Sequence, residues 1–270
     1  MKFSVFGSNG FIGSNMVDFL KKEKIEYEEL DPNDQQIFEK ELGHVIYCIG
    51  ITGDFRERPF DTVEAHVCLL SKILKRCKYE SFLYLSSTRI YHNSSTTNEN
   101  SQITVNPNEF EEIYNISKIM GESLCLTTNN PNVRIARLSN VVGNNFNTDN
   151  FLSSLIHDAV VNKKIILYST NLTEKDYVNV NDIVKILPKI SLKGKYKIYN
   201  IASGKNIKVK EIVRELKKSI NCEVIFASDA IERIHPIIDI QRIKKEFNYE
   251  PTPILDEVKK IIKEYQNKIL

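Results

Sequence analysis

The sequence predicts an α/β fold: a parallel β-sheet wound with helices on both faces, followed by a smaller α/β portion. Three observations predict it. Short apolar runs alternate with helical apolar spacing through the first half. A glycine-rich turn joins the first run to the first helix, and past Gly143 the texture changes to a polar stretch followed by short mixed elements.

Taken in order, "KFSVF" (2–6) is a strand and 11–22 is a helix. "EYEEL" (26–30) is a second strand with a short helix at 34–41 behind it. "HVIYCI" (44–49) is a third strand, followed by a long helix over about 61–77. "SFLYL" (81–85) is the fourth strand, 109–128 a helix, and "VRIARL" (133–138) the fifth strand. "GNNFNTDN" is a polar loop and about 150–162 a helix, with strands at "KIILY" and "DYVNV". "VNDIVKIL" starts another helix with Asn181 as its N-cap. "KIYNIA" and "EVIFA" are strands, and "KVKEIVRELKKSI" and "LDEVKKIIKEYQNKI" are amphipathic helices. Nothing reads as a flexible linker, so the second portion packs on the first.

Composition narrows the function classes. The 270 residues can bury a real core, and 41% hydrophobic with 27% charged is ordinary for a soluble protein. Lys plus Arg at 37 against Asp plus Glu at 35 leaves a net charge of +2, too balanced for a nucleic-acid or anionic-membrane footprint. A small-molecule partner is expected. Cys48, Cys68, Cys77, Cys125 and Cys222 include no C-x-x-C and read as buried, reduced thiols of a cytoplasmic protein. The N-terminus lacks the apolar core of a signal peptide, and no apolar run approaches a membrane span. His44, His66, His92, His157 and His235 show no metal-ligand spacing, so no metal is expected.

"GSNGFIG" (7–13), lying between a strand and a helix, is the context a dinucleotide fingerprint requires. Gly7 permits the turn, Gly10 admits the pyrophosphate, Gly13 allows close helix packing, and the helix N-terminus favours an anion. The spacing is G-x-x-G-x-x-G rather than the commoner G-x-G-x-x-G. The turn makes the fold class more specific: a Rossmann-like doubly wound sheet. Asp31 ends the second strand, where a carboxylate can accept both adenosine ribose hydroxyls and repel a 2′-phosphate. NAD(H) is therefore favoured and NADP(H) remains possible. The bland alternative is an Asp capping the turn at Pro32.

Tyr114 and Lys118 lie four apart on one helix face. An ammonium beside a phenol lowers its pKa and holds a ribose hydroxyl, and the phenol can then exchange a proton with a carbinol or carbonyl oxygen. This spacing alone is no more than chance supplies in a chain rich in Tyr and Lys. Its weight comes from context, because the helix follows the strand that ends in Ser86-Ser87.

With these segments in place, the chain resembles the extended short-chain dehydrogenase/reductases, the NAD-dependent epimerase/dehydratase family. "LSSTRIY" is similar to the family's strand ending in the active-site Ser/Thr and "YNISK" to its Y-x-x-S-K. "RLSNVVG" is similar to R-x-x-N-x-x-G, "KDYVNVNDIVKIL" to R-D-[YF]-V-x-V-x-D, and "YNIASGKNIKVKEI" to a late strand and helix. The resemblance implies Ser87, Tyr114 and Lys118 as catalytic residues. It places the cofactor on Gly7, Ser8, Asn9, Gly10, Phe11, Ile12, Gly13, Asp31, Ile49, Gly50, Tyr114 and Lys118. It places a nucleotide-sugar against Ser87, Thr88, Arg89, Asn140 and Arg233, with a solvated helix-end charge as the alternative for Arg233. It also implies a homodimer through the helices near 61–77 and 109–128. Residues 1–143 with about 176–202 would form the dinucleotide-binding domain, and 144–175 with 203–270 the substrate-binding portion.

Family dehydratases carry Asp-Glu after the active-site hydroxyl, where Thr88 and Arg89 stand here. Neither can serve as that acid or base. The expected activity is reduction of a 4-keto (deoxy)sugar nucleotide in the making of surface-polysaccharide sugars. An NAD-dependent 4-epimerase is the alternative, and a non-catalytic regulatory protein a remote one. Reduction is favoured because so few residues separate Asp31 from the strand at His44 that one βα unit is missing, and because "YSTN" replaces a usual "YGDG" turn. Arg56 and Arg58 beside Arg89 suit a diphosphate or an acidic sugar, or else a solvated loop.

Overall fold

The computed structural model describes residues 1–143 and 151–269. The loop expected after Gly143 and the first residue of the helix expected at 150 lie outside the described residues.

The central sheet has six parallel strands in the order β2-β1-β3-β4-β5-β9. They are β1 (Lys2–Phe6), β2 (Glu26–Leu30), β3 (His44–Tyr47), β4 (Ser81–Ser87), β5 (Val133–Leu138) and β9 (Ile198–Ile201). Their continuous apolar runs follow from burial on both faces. Along β4, Leu83 joins the core beneath α1 (Phe11–Lys22) and α6 (Val180–Lys193). Phe82 and Tyr84 join the core beneath α3 (Leu69–Arg76) and α4 (Glu112–Leu126). Parallel register brings Phe6, Leu30 and Tyr47 level, and Ser87 level with Leu138, so all the strand ends open on one edge of the sheet. β2 is an outer strand, as the short stretch after Asp31 demands.

The C-terminal portion holds α5 (Phe151–His157), α7 (Val209–Ser219), α8 (Gln241–Phe247) and α9 (Ile254–Ile269); α5, α7 and α9 cover a separate core that includes Leu155, Ile212, Leu216, Val258 and Ile261. The remaining strands are β6 (Asn140–Val142), β7 (Lys164–Ser169), β8 (Glu174–Asn179), β10 (Asn206–Lys208) and β11 (Glu223–Ile231). They form a three-stranded sheet, β10-β8-β6, and a parallel pair, β11-β7. Buried polar groups fasten this portion to the first. The Asn200 amide donates to the carbonyls of Thr97 and Asp239, and Asp182 accepts from the backbone and hydroxyl of Thr252.

Several expected elements change. The helix at 34–41 is one short turn, Gln35–Phe38, because Leu42 is already bonded to Lys78 at the sheet. The helix at 61–77 is split into α2 (Pro59–Val63), a wide turn at Glu64–Cys68, and α3. The helix at 109–128 starts later and ends sooner, as α4. The cap of α6 is Asn179 rather than Asn181: its backbone is extended and its side chain accepts from the Asn181 N–H at 2.7 Å. All five cysteines are unbridged; Cys77 and Cys125 are buried as expected, but Cys48 and Cys222 are half-buried and Cys68 is exposed.

Candidate active site

The glycine turn sits at the C-terminal end of β1. Gly7 has φ of +76°, and a Cβ there would come within 2.9 Å of the Ile49 nitrogen. A Cβ on Gly13 would fall 2.0 Å from the Gly7 carbonyl oxygen, so α1 can approach β1 this closely only with glycine. Gly10 caps α1 with no side chain on its first amides, and the first turn carries no acid. Ser8, Phe11 and Ile12 are half-buried and Asn9 is exposed. Asp31 is exposed just beyond β2; its Oδ1 accepts from the Asn33 backbone at 2.9 Å and the Asn33 amide at 3.1 Å. The turn-capping alternative is therefore real, and it leaves the carboxylate at the strand-end edge beside Gly7.

Ile49 and Gly50 follow β3 into the same edge, where sequence reasoning missed an organising residue. His66, carried inward on the wide turn, is fully buried. Its Nε2 accepts from the Ile51 N–H at 3.2 Å, so Nδ1 bears the proton and donates to Ser117 Oγ at 2.9 Å. Ser117 in turn donates to the Tyr114 carbonyl at 2.9 Å. Burial and the nearby Lys118 charge push the imidazole down to about 2, so it stays neutral. One ring thus joins the loop after β3 to the helix carrying Tyr114 and Lys118. The contact spans 51 positions of sequence, which periodicity does not reveal.

Alternation along β4 separates its two terminal serines. Ser86 is buried and donates to Glu122 Oε1 at 2.6 Å, whereas Ser87 is half-buried and hydrogen-bonds the Tyr114 hydroxyl. Thr52 bonds the same hydroxyl. The ring of Tyr114 lies 5.2 Å from that of Phe55 and edge-on to His66 at 5.4 Å. Lys118 is buried, and its Nζ donates to the Leu85 carbonyl at 2.9 Å and lies against Gly50.

One electrostatic expectation is corrected. Burial raises the Tyr114 phenol above its ordinary range, opposed by the bonds from Ser87 and Thr52 and by the Arg89 charge; Lys118 is not among the opposing groups. It is the ammonium that is brought toward neutrality: burial lowers Lys118 to about 7, against the raising influence of Glu122 and Cys48. The unfolded chain, with an ordinary lysine near 10.5, then binds more protons than the folded one between about pH 7 and 10.5. Stability relative to Lys118→Met is therefore expected to rise with pH through that window, measured as urea-unfolding midpoints for both proteins; parallel curves would contradict the depressed ammonium.

Beneath Ser86 lies a closed polar network. Arg137 Nη2 meets Glu122 Oε2 at 2.6 Å with both side chains 5% exposed, and Arg137 Nη1 donates to the Tyr91 hydroxyl, which donates to Asn200 Oδ1 at 3.0 Å. Burial of this network fixes the end of β4 against α4 and β5.

Beyond Ser87, Thr88 is buried and Arg89 half-buried, its N–H bonded to Ser87 Oγ at 3.2 Å. The Arg89 guanidinium lies 5.6 Å from the centre of the Tyr114 ring and pairs with Glu111 at 2.9 Å; Arg56 pairs with the other Glu111 oxygen at 2.9 Å. Arg58 instead pairs with Asp54 and Asp61 of its own loop, which leaves it the solvated reading. Asn140 is exposed and donates to the Asp176 carbonyl at 2.8 Å; β6 sets it opposite Tyr177, two residues from Lys175. Arg233 is exposed beside the start of β8, its carbonyl accepting from Glu174 N–H. Lys175, also missed, is brought to the same place, and burial, with the charges of Arg233, Arg89 and Arg56, lowers its pKa. Its signal was present as the Lys of "KDYVNV". Ser87, Tyr114, Lys118, Thr88 and Arg89 are thus gathered at one sheet edge, with Ile49, Gly50 and the glycine turn.

A doubly wound parallel sheet with a glycine cradle at its first βα turn defines a Rossmann-like, dinucleotide-binding class. The chain belongs to the NAD dependent epimerase/dehydratase family, whose model matches residues 3–202. It is 24% identical over 227 residues to the dTDP-4-dehydro-6-deoxyglucose reductase of Escherichia coli, covering 77% of this chain and 68% of that protein. Among solved structures, MoeE5 in complex with UDP-glucose and NAD is similar over the whole of both chains, with a TM-score of 0.84 at 17% identity. RMD from Pseudomonas aeruginosa complexed with NADPH has a TM-score of 0.81 at 18% identity, covering 98% of this chain and 99% of that one. UDP-glucuronic acid 4-epimerase from Bacillus cereus, in complex with UDP-glucuronic acid and NAD, has a TM-score of 0.80 at 17% identity over the whole of both chains. At these identities the structural likeness is one of fold. Among the described residues, no helix is long and apolar enough to cross a membrane.

Proposed function

We propose that the protein is an NAD(P)-dependent oxidoreductase acting on a nucleotide-activated sugar, and that it reduces a 4-keto sugar nucleotide. The observation that carries this reading is the meeting of Ser87, Tyr114 and Lys118 at the edge where the glycine turn opens. The cradle fits a dinucleotide: no Cβ is tolerated at Gly13, the first amides of α1 are uncapped, and Asp31 presents a carboxylate at the end of β2. Ser8, Asn9, Phe11, Ile12, Ile49 and Gly50 would line it. When bound, a reduced nicotinamide supplies the hydride. Ser87 orients the sugar's carbonyl oxygen, and the Tyr114 hydroxyl delivers a proton to it as it gains charge. Lys118 holds a cofactor ribose hydroxyl and restores the phenol's proton. Lys175 and Arg233, with Asn140, hold the diphosphate.

Thr88 and Arg89 supply neither the acid nor the base of a dehydration, and the outer position of β2 matches the short chain expected of a reductase. The E. coli relative is itself named a reductase. The second reading is a 4-epimerase, favoured by the fold likeness to the B. cereus enzyme. The division at residue 143, with about 176–202 returning to the dinucleotide-binding part, belongs to the same proposal. So does homodimerisation through α3 and α4, where the exposed Met120 and Leu126 are apolar side chains available to be covered.

The test is to mix the purified protein with NADH or NADPH and 4-keto sugar nucleotides, neutral and acidic. The expected result is stoichiometric cofactor oxidation with a 4-hydroxy product. Tightly retained NAD and interconversion of 4-epimers without net oxidation would establish the second reading instead.

A further inference from the structure

Two places at the site gather positive charge. Lys175 and Arg233 form the first, against β8, and neither has a carboxylate partner among the described residues. The second lies beside Tyr114. There the Arg89 guanidinium sits 5.6 Å from the phenol ring centre and 4.9 Å from that of Phe55, while Arg56 sits 4.5 Å from the Phe55 ring. Phe55 lies 5.2 Å from the Tyr114 ring, so both guanidiniums border the place where a sugar held at Tyr114 would extend its substituents.

Arg56 and Arg89 share one carboxylate, Glu111, each taking a different oxygen. The group keeps a net positive charge, and each planar fork keeps N–H donors to spare. Glu111 is 44% exposed, so an entering anion can share or replace it without breaking a packed core. The charges are also close: burial lowers the proton affinity of Lys175 and His235, and the fields of Arg89 and Arg56 at Lys175, and of Arg89 at His235, lower it further. Such crowding is costly in the free protein and is relieved by anions. A nucleotide diphosphate relieves it at Lys175 and Arg233. A neutral sugar leaves the second place uncompensated.

We propose that the sugar bound here carries its own carboxylate, or an equivalent acidic substituent, and that Arg89 and Arg56 read it. This rests on the nucleotide-sugar reading and names the substrate class within it. The competing role for Arg89 is to act on the Tyr114 phenol alone, which would make it indifferent to substrate charge.

The experiment is isothermal titration of the NAD-loaded protein with matched pairs, UDP-glucose against UDP-glucuronate, GDP-mannose against GDP-mannuronate and dTDP-glucose against dTDP-glucuronate, with UDP, GDP and dTDP alone as references. In the pair whose nucleotide binds, the acid is expected to bind at least about tenfold more tightly than the neutral sugar. Arg89→Met and Arg56→Met each remove most of that preference, while the affinity for the neutral sugar falls no more than about twofold. Glu111→Gln, which frees the two forks, strengthens binding of the acid and not of its neutral partner. Equal affinity for acid and neutral sugars in the unsubstituted protein overturns the inference, as does an Arg89→Met loss equal for both. Binding of NAD with no binding of any nucleotide or nucleotide sugar overturns the underlying nucleotide-sugar reading, a distinct outcome.

Discussion

Tyr114→Phe is expected to lower kcat by at least about 10²-fold, the low end of general acid–base contributions, with little change in substrate affinity. The substitution removes one oxygen and keeps the ring against Phe55 and His66, so the pocket persists while the proton does not. Burial holds the phenol protonated through the neutral range, which suits a group that donates to a developing alkoxide. Its recharging then depends on Lys118, which titrates near neutrality. The variant's fold is checked by its unfolding midpoint. Near-normal turnover in a folded variant would remove Tyr114 from the chemistry and leave only binding roles for the site.

Arg137→Met is expected to destabilise the fold by about 3–5 kcal/mol, because it strands the Glu122 carboxylate in the interior. That is a large share of the roughly 5–15 kcal/mol by which folded proteins are stable. Among the described residues, Glu122 would keep only the Ser86 hydroxyl as a hydrogen-bond partner, and Tyr91 would lose the guanidinium it bonds. Replacing both charges, as Arg137→Met with Glu122→Leu, should recover much of the loss, since an apolar pair of similar volume avoids the desolvation of either ion. Urea unfolding of the three proteins measures this. An Arg137→Met midpoint equal to that of the unsubstituted protein would mean that the pair is not desolvated as its burial implies.

Which parts of this were legible in the sequence follows from the range of the interactions. Strands β1 to β5 and the glycine turn are local patterns, set by buried runs and by the absence of a Cβ at Gly7 and Gly13, and these the sequence displays. Tyr114 and Lys118 share a helix face by spacing, and Ser87 stands at a strand end, so their meeting follows once the strand order is known. Ends of elements were less legible. The wide turn at Glu64–Cys68 and the shift of the α6 cap from Asn181 to Asn179 depend on what each end packs against. His66, Thr52, Glu111 and Lys175 were missed as parts of the site because each acts across distant segments. His66 reaches Ser117 and Ile51, and Glu111 joins Arg56 of one loop to Arg89 of another. The electrostatics of the pair was inverted for the same reason: spacing puts an ammonium near a phenol, but burial decides which of the two changes its proton affinity.

The most direct measurement of the central claim follows a labelled hydride. The protein is given reduced nicotinamide cofactor carrying deuterium at both positions of its reactive carbon, together with a 4-keto sugar nucleotide, and the product is analysed by mass spectrometry and NMR. The predicted result is one deuterium on sugar carbon 4, formed by the unsubstituted protein and formed at least about 10²-fold more slowly by Tyr114→Phe. Cofactor oxidation that leaves the sugar unlabelled, or a label at any other carbon, would contradict the account.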